Sequence, residues 1–387
     1  MTVAIDRAQL VERVLKQFEA RCPDSEASPH YEPATAYTDP MRFSKELDLI
    51  FRRAPVMVCL SGELAQPGDY KTMDLAGVPS AILRGTDGVV RGFRNACAHR
   101  GAQVLTEPTG CGVRRMSCPY HGWSYDLAGK LVGVPFKRAF PDVDMSRSGL
   151  TPIQVHERCG MVFVVIENEK HVDIDDFLGE VACQFDSLNT SRFVAAKPDS
   201  VTLETNWKLS VDTFGESYHF PYVHSDTLMP IVKRNTMATD DYGPHLREVF
   251  GLNNIDEISD DRAGWADAVF GQHMYPIWII FPNVVVAAAD GAMQLFVTYP
   301  GRTVGECEVV HMKGFDPELS DDQRNAYEFF FDHNWRNVVQ VQDFPIAQNV
   351  YRSLVVGSRP TMTFGTIEGP LHHLHKHYDK ILSEVHI

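Results

Sequence analysis

The chain lacks the features that mark several large protein classes. Basic residues are not in excess: 36 Lys and Arg against 51 Asp and Glu give a net charge of -15. A nucleic-acid-binding surface leaves the opposite footprint. Long apolar runs are also missing. The most apolar stretch, Ile277 to Ala289, is interrupted by Pro282 and Asn283, and it is too short to cross a bilayer. The opening residues, MTVAIDRAQLVERVLKQFEARC, mix acids among apolar positions, unlike the charged-then-apolar layout of a secretory leader. The expectation is a cytoplasmic protein with no membrane and no nucleic-acid partner. Cysteine is sparse, eight in 387 residues. In a reducing compartment such cysteines are buried hydrophobes or metal ligands more often than disulfides. Gly and Pro are not enriched, and no internal repeat or low-complexity tract occurs, which excludes collagen-like and disordered chains.

What is present is a chain long enough for two domains, with 44% apolar residues to build their cores. Residues 7 to 21 repeat apolar positions at helical spacing (Leu10, Val11, Val14, Leu15, Phe18), which predicts an amphipathic helix. A polar arm follows to about Pro40, then a short helix around Arg42 to Arg53. From Val56 to Glu167 the texture becomes short β-rich runs, with hairpin turns at Gly85-Thr86-Asp87-Gly88 and Asp126-Leu127-Ala128-Gly129. Beyond residue 168 a helical stretch over Val211 to His219 precedes strands at Trp278–Ile280, Val284–Ala288 and Gln294–Tyr299. A long helix is expected from Asp321 toward Leu354, capped by Ser320 and broken at Pro345. The predicted class is α+β. Its divisions are 1–45, a helix and arm packing on the last domain; 46–167, an all-β domain; and 168–387, a mixed domain.

Two constellations carry chemistry. The first is Cys97-Ala-His99 with Cys118-Pro-Tyr-His121. Two thiolates and two imidazoles suffice for a [2Fe–2S] centre with histidines on one iron, where neutral imidazole raises the reduction potential. The same ligand types also suit structural zinc. The flanking strings NACAHRG and CPYHGWSYD closely resemble the two fingerprint loops of Rieske domains. That resemblance implies a [2Fe–2S] cluster on Cys97, His99, Cys118 and His121. Cys111, between the pairs, is read as an ordinary thiol.

The second is NWKLSVDTFGESYHFPYVH, residues 206 to 224. At about 100° per residue, Asp212, Glu216 and His219 share one helical stripe. Two carboxylates and an imidazole on an otherwise apolar-aromatic face need a reason, because burying unpaired charge is costly. His224 falls off that stripe, and a kink at Pro221 is expected to bring the two imidazoles together. The string resembles the iron-binding segment of Rieske oxygenase α-subunits: an Asn-Trp-Lys opening, an acid, Tyr-His, and a second His five residues later. The resemblance implies His219 and His224 as ligands of a mononuclear Fe(II). It puts Glu216 at the place of the carboxylate that relays electrons between subunits. Glu216 is often Asp in the family, and Asp212 is often Asn; both are taken as catalytic candidates. A carboxylate should complete the set, since two histidines and one acid on a face leave positions open for dioxygen. The family places it far downstream, where Val-Gln-Asp-Phe-Pro-Ile at 341 to 346 makes Asp343 the candidate. Spacing alone leaves Asp332 as an alternative. Gln348 and Tyr351 stand where the family has an acid and a glutamine.

By this resemblance the fold is an all-β Rieske domain plus a helix-grip-like catalytic domain, an antiparallel sheet with a long C-terminal helix. The activity implied is that of a terminal oxygenase using O2 and electrons from a ferredoxin or reductase, ultimately NAD(P)H. It would hydroxylate or oxidatively demethylate a small aromatic or related molecule, as a head-to-tail homotrimer. Ring cis-dihydroxylation and quaternary-ammonium oxidation, where glutamate at the bridging position also occurs, are alternatives. A Rieske-type electron carrier needs only the first constellation and leaves His219 and His224 unexplained. Arg100, Arg114, Arg115, Lys130, Lys137 and Arg138 form a basic cluster around the cysteine loops, a candidate dock for an acidic electron donor. Phe214, Phe220, Tyr222, Trp265, Tyr275, Trp278 and Phe281 are candidate pocket aromatics. The run His372-His373-Leu374-His375-Lys376-His377 is read as a surface helix without a role.

Overall fold

The computed structural model describes residues 5–167 and 170–384. The chain forms two compact units, one of Phe51–Ile174 and one combining Met1–Ile50 with Asp175–Ile387. The boundaries fall a few residues beyond those drawn from the sequence. Residue 168, where the second was drawn, lies outside the described residues.

The Phe51–Ile174 unit holds an antiparallel sheet in the order Val56–Leu60, Met161–Val165, Pro152–Arg158, Val90–Arg94, Val78–Arg84, Tyr70–Leu75, Thr109–Gly110. A smaller sheet joins Met116–Ser117, Ser124–Tyr125 and Leu131–Gly133. Both expected hairpin turns are present: Gly85 N donates to Val89 O, and Asp126 Oδ1 accepts from the Ala128 and Lys130 amides. Cys97 and Cys118 belong to this unit's core, packed with Phe93, Met116, Trp123 and Tyr125.

The larger unit is built on an antiparallel sheet in the order Val194–Ala195, Cys307–Phe315, Ala292–Pro300, Val284–Ala289, Met274–Ile280, His245–Gly251, Ala238–Tyr242, with Asp199–Leu203 also paired to Cys307–Phe315. Every residue of Val284–Ala289 is buried, so elements cover both faces of the sheet there. Helix Arg7–Ala20, capped by Asp6, contacts the His245–Gly251 strand and buries Leu10, Val11 and Val14. Burial is worth ~1.5–3 kcal/mol for each large apolar side chain. Packing, rather than helix propensity, therefore anchors the N-terminus to this unit.

Two helical expectations need correction. Ser320 does form a reciprocal cap with Gln323 at the start of Asp321–His333. The helix is not broken at Pro345, however. It passes through wider π turns over Asn334–Asp343 into Phe344–Val355, with Phe344 N bonded to Val339 O. Pro345 then lies in the first turn of the new α segment, where a missing N–H costs little. The stretch Val211 to His219 is not one helix either. Trp207–Asp212 ends at Thr213, turns follow, and Pro221 opens a single helical turn, Phe220–Val223. Gly215 lies within the break, where a Cβ would meet Leu371 at 2.6 Å. The stripe of Asp212, Glu216 and His219 therefore does not exist as one helical face.

Candidate metal centres

The cysteine loops are two copies of one local device. Cys97 O accepts from Gly101 N and Cys118 O from Gly122 N, at 2.8 and 3.0 Å. Both glycines take positive φ, 78° and 72°, a conformation that costs other residues free energy. Buried Asn95 fixes the first loop: its Oδ1 accepts from the Val104 and Leu105 amides and its Nδ2 donates to Leu105 O. The Tyr125 hydroxyl accepts from Ala98 N and lies 3.1 Å from Cys97 Sγ, to which it can donate when that sulfur is a thiolate. Hydrogen bonds to ligating sulfur are one way a protein tunes a cluster's potential.

The His99 ring stacks on Trp123 at 4.8 Å and meets His121 edge-on at 4.6 Å. Its Nδ1 is buried with no hydrogen-bond partner. A buried imidazole nitrogen left unpaired is costly unless something binds it, and a metal would. Two thiols and two imidazoles on these paired loops are a donor set that fits a two-iron, two-sulfur cluster.

The second centre begins with Asn-Trp-Lys, and the structure gives each residue a task. Asn206 caps the helix, accepting from Lys208 N. Trp207 Nε1 and Lys208 Nζ both reach Glu46, forming an ion pair buried on both sides. With this anchor in place, the following turns bring His219 Nε2 and His224 Nε2 to 3.2 Å. Asp343, at the end of the π turns, puts Oδ1 3.0 Å from His224 Nε2 and 3.5 Å from His219 Nε2. These three donors form the one group of three or more metal-capable side chains found among the described residues. Asp332, the alternative, is paired with Lys313 instead.

Each imidazole is held from behind. His219 Nδ1 faces Glu216, which also accepts from the Tyr218 and His219 amides. His224 Nδ1 donates to Gln342 Oε1 at 2.7 Å, and Thr227 Oγ1 donates to the same oxygen. Acceptors at Nδ1 put the proton there and leave each Nε2 lone pair turned toward Asp343, the arrangement metal-ligating histidines use. Burial disfavours a charged His219, but Asp343 and Glu216 outweigh it and raise its pKa to about 9. The His pair in turn holds Asp343 below the usual carboxylate range despite its burial. A divalent cation would replace those protons on the same atoms. The donor set fits Fe(II).

Asp212 is elsewhere. Its carboxylate accepts from Tyr37 Oη at 2.7 Å and lies 3.1 Å from His375 Nε2. His375 is fully buried, so the C-terminal histidine run is not simply a surface helix. Burial alone would keep His375 neutral, yet Asp212 and Glu32 raise its pKa to about 9. Asp212 thus serves a buried latch joining the N-terminal arm to the last helix. Sequence reasoning also missed Gln342 and Glu248. Both Glu248 oxygens are buried without a partner; burial first, then Glu216, push its pKa well up. In the sequence Glu248 stands beside Arg247 in the strand HLREVFG, a pattern that does not single it out.

A cavity of about 490 Å³ opens on His219, His224 and Asp343. Phe214, Phe220 and Tyr275 line it, joined by Phe250, Phe296, Tyr327, Phe330 and Phe331. The other four candidate aromatics do not. Tyr222 is exposed, Phe281 is core, and the Trp265 and Trp278 indoles donate to Ile258 O and Gln184 Oε1. The six basic residues near the cysteine loops are all exposed. No helix among the described residues is long and apolar enough to cross a membrane.

Comparison with known proteins gives the families of the two regions that carry these residues. A Rieske [2Fe-2S] domain model matches residues 54–148, and a model of the ring hydroxylating alpha subunit (catalytic domain) matches residues 190–384. The carnitine monooxygenase oxygenase subunit of Acinetobacter pittii (strain PHEA-2) is 28% identical over 333 residues, covering 83% of this chain and 84% of that protein. The chloroplastic choline monooxygenase of Arabidopsis thaliana is 25% identical over 382 residues, covering 94% and 85%. Among solved structures, the quaternary ammonium Rieske monooxygenase CntA with L-carnitine superposes with a TM-score of 0.76 at 23% identity, covering 91% and 96%. Naphthalene 1,2-dioxygenase from Rhodococcus sp. bound to indole gives 0.77 at 19%, covering 98% and 99%. At such identities these likenesses show a shared fold. The match over the catalytic region settles the family: the chain belongs to the ring-hydroxylating oxygenase α-subunits, Rieske non-haem iron oxidoreductases that act as terminal oxygenases.

Proposed function

We propose that Cys97, His99, Cys118 and His121 hold the [2Fe–2S] cluster and that His219, His224 and Asp343 hold the mononuclear Fe(II). In this reading the chain hydroxylates or oxidatively demethylates a small aromatic or related organic molecule. The net reaction is R–H + O2 + 2 e⁻ + 2 H⁺ → R–OH + H2O. The observation that carries it is an apolar, aromatic-lined cavity ending on two histidines and one carboxylate, the facial set of non-haem iron oxygenases.

When bound, the iron supplies dioxygen activation and the cluster supplies electrons singly. The protein's own part is positioning. Glu216 and Gln342 fix the tautomers of His219 and His224, Asp343 brings the third donor, and the apolar lining excludes water from the reacting face. Glu216 also stands on the electron path between a neighbouring subunit's cluster histidines and His219. Inter-subunit electron transfer is described for the related quaternary ammonium monooxygenase, and a ring-shaped homotrimer would provide it here. The electrons come from a ferredoxin or reductase, ultimately NAD(P)H, in the cytoplasm.

The test is product analysis under ¹⁸O2 with aromatic acids, methoxyarenes, carnitine, glycine betaine and choline. One label per product supports the reading. Two labels in one product would replace it with ring dihydroxylation, and no uptake with any member would remove it.

A further inference from the structure

Several polar side chains line the cavity besides the metal donors, among them Asn253, Gln272, Asn334 and Tyr275, and Tyr275 ends a buried chain of side-chain hydrogen bonds. Tyr275 lines the cavity from strand Met274–Ile280. The side chain reaches across Val284–Ala289, where Ala287 and Ala289 leave room, to Gln294 on Ala292–Pro300. Gln294 is fully buried, and its amide is fixed at both ends. His311 Nε2 lies 3.2 Å from Gln294 Oε1, while Gln294 Nε2 donates to the Tyr275 hydroxyl at 2.9 Å. The His311 ring is itself stacked between Phe296 and Trp335, 5.2 and 5.1 Å away. Burial, with Lys313 second, lowers the His311 pKa to about 3, so the ring is a neutral N–H donor. The chain His311, Gln294, Tyr275 therefore ends on a phenolic oxygen already accepting one bond. Its own proton has no acceptor among the described residues.

Charge narrows the choice further. The lining contains no Lys or Arg, and its single carboxylate, Asp343, belongs to the metal donors. A carboxylate or sulfonate held here away from the metal donors would be a buried charge with no cationic side chain beside it, which is expensive. A quaternary ammonium group offers no lone pair to the phenolic proton. An uncharged molecule with an accepting oxygen or ring nitrogen satisfies both conditions.

We propose that Tyr275 is the specificity-determining residue of the cavity and that the substrate is an uncharged, mainly apolar molecule bearing one hydrogen-bond acceptor. This rests on the oxygenase reading above and narrows its substrate class. The test measures equilibrium binding to the iron-loaded holoenzyme without turnover, using four ring-matched probes: 1-indanone, indane, indane-1-carboxylate and 1-aminoindane. The ketone should bind about tenfold more tightly than indane, the scale of one well-placed hydrogen bond, and more tightly than either charged probe. Tyr275→Phe should bring the ketone to within about twofold of indane and leave indane affinity unchanged. Gln294→Leu, which frees the hydroxyl to turn, should do so partly. Binding of the carboxylate or the amine at or above the ketone overturns the proposal, as does a ketone preference that survives Tyr275→Phe. Oxygen uptake is read separately. Uptake with the carboxylate preferred leaves an oxygenase with a different recognition element, and failure of all four probes to bind overturns the proposal while the ¹⁸O2 panel above decides the oxygenase reading on its own.

Discussion

The two centres of this chain are built in opposite ways. The cysteine loops are local: four candidate ligands lie between Cys97 and His121, and each loop closes with the same turn onto a glycine. The candidate iron centre is long-range, drawing Glu216, His219 and His224 from one irregular segment and Asp343 with Gln342 from a helix far downstream. Their surroundings differ too. Beside the cysteine loops Tyr120 and Phe136 are 57% and 77% exposed, so a partner protein can approach closely. The candidate iron donors lie at the end of an apolar cavity, and His224 is 1% exposed. Electrons need only a near surface, whereas dioxygen and substrate must meet away from water.

Breaking one centre should spare the other, and this is the largest effect expected. His224→Ala or Asp343→Ala should abolish turnover, at least roughly a thousandfold, the scale of deleting an indispensable catalytic group. The visible absorption of the cluster should remain while bound mononuclear iron is lost. Cys118→Ala should do the reverse, bleaching the protein but leaving one iron site titratable. Metal analysis beside absorption spectra reads the split, and loss of colour in Asp343→Ala would contradict it.

Next in size is Glu216→Gln, which keeps the side-chain length and removes the charge. Iron should stay bound and a chemical reductant should still reduce the cluster. Reoxidation with substrate and O2 should slow by about 10- to 100-fold, the usual cost of disturbing a partner behind a metal-ligating histidine. Stopped-flow absorbance separates the two steps. An unchanged reoxidation rate would remove Glu216 from the path.

The same contrast explains what could be read from the sequence. The loop motifs contain their own turn chemistry, so NACAHRG and CPYHGWSYD were legible as they stand. His219 and His224 were legible because they fall within one string. Asp343 came only through resemblance, since no local rule distinguishes it from Asp332; Lys313, on the distant Cys307–Phe315 strand, pairs with Asp332. The helical wheel failed at Asp212 because the helix stops at Thr213. The partners that hold Asp212, Tyr37 and His375, come from opposite ends of the chain. Propensity has no access to that kind of closure, and for the same reason Gln342 and Tyr275 were invisible as positioning groups.

That closure predicts a pH dependence confined to the larger unit. His375 has a pKa of about 9 in the fold against an ordinary 6.5. Its contribution to stability is therefore complete below 6.5 and is lost as pH rises through about 9. Glu32, lowered to about 2 from 4.5, contributes above 4.5 and is lost as pH falls through 2. The melting temperature of this unit should decline between pH 6.5 and 9, by roughly 2–4 °C for each kcal/mol lost. Asp212→Asn should flatten that decline. If the slope is the same in the variant, the latch does not control it.

The smallest effect should come from the surface of the cysteine-loop unit. Arg100, Arg114, Arg115, Lys130, Lys137 and Arg138 are exposed around the loops of a chain that is acidic overall. Opposite charge between partners raises the encounter rate more than the final affinity. The double change Arg114→Glu with Arg115→Glu should therefore slow reduction by an acidic ferredoxin or reductase by about three- to tenfold at low salt. The difference should fade as ionic strength passes 0.15 M, where screening acts over about 8 Å. Reduction by dithionite, a small ion that needs no docking surface, should change little, and binding at the iron centre not at all. A donor reduction rate and salt slope equal to those of the unaltered protein would mean that these arginines are only solvated surface. Electrons would then enter the cluster by a face that the basic residues do not mark.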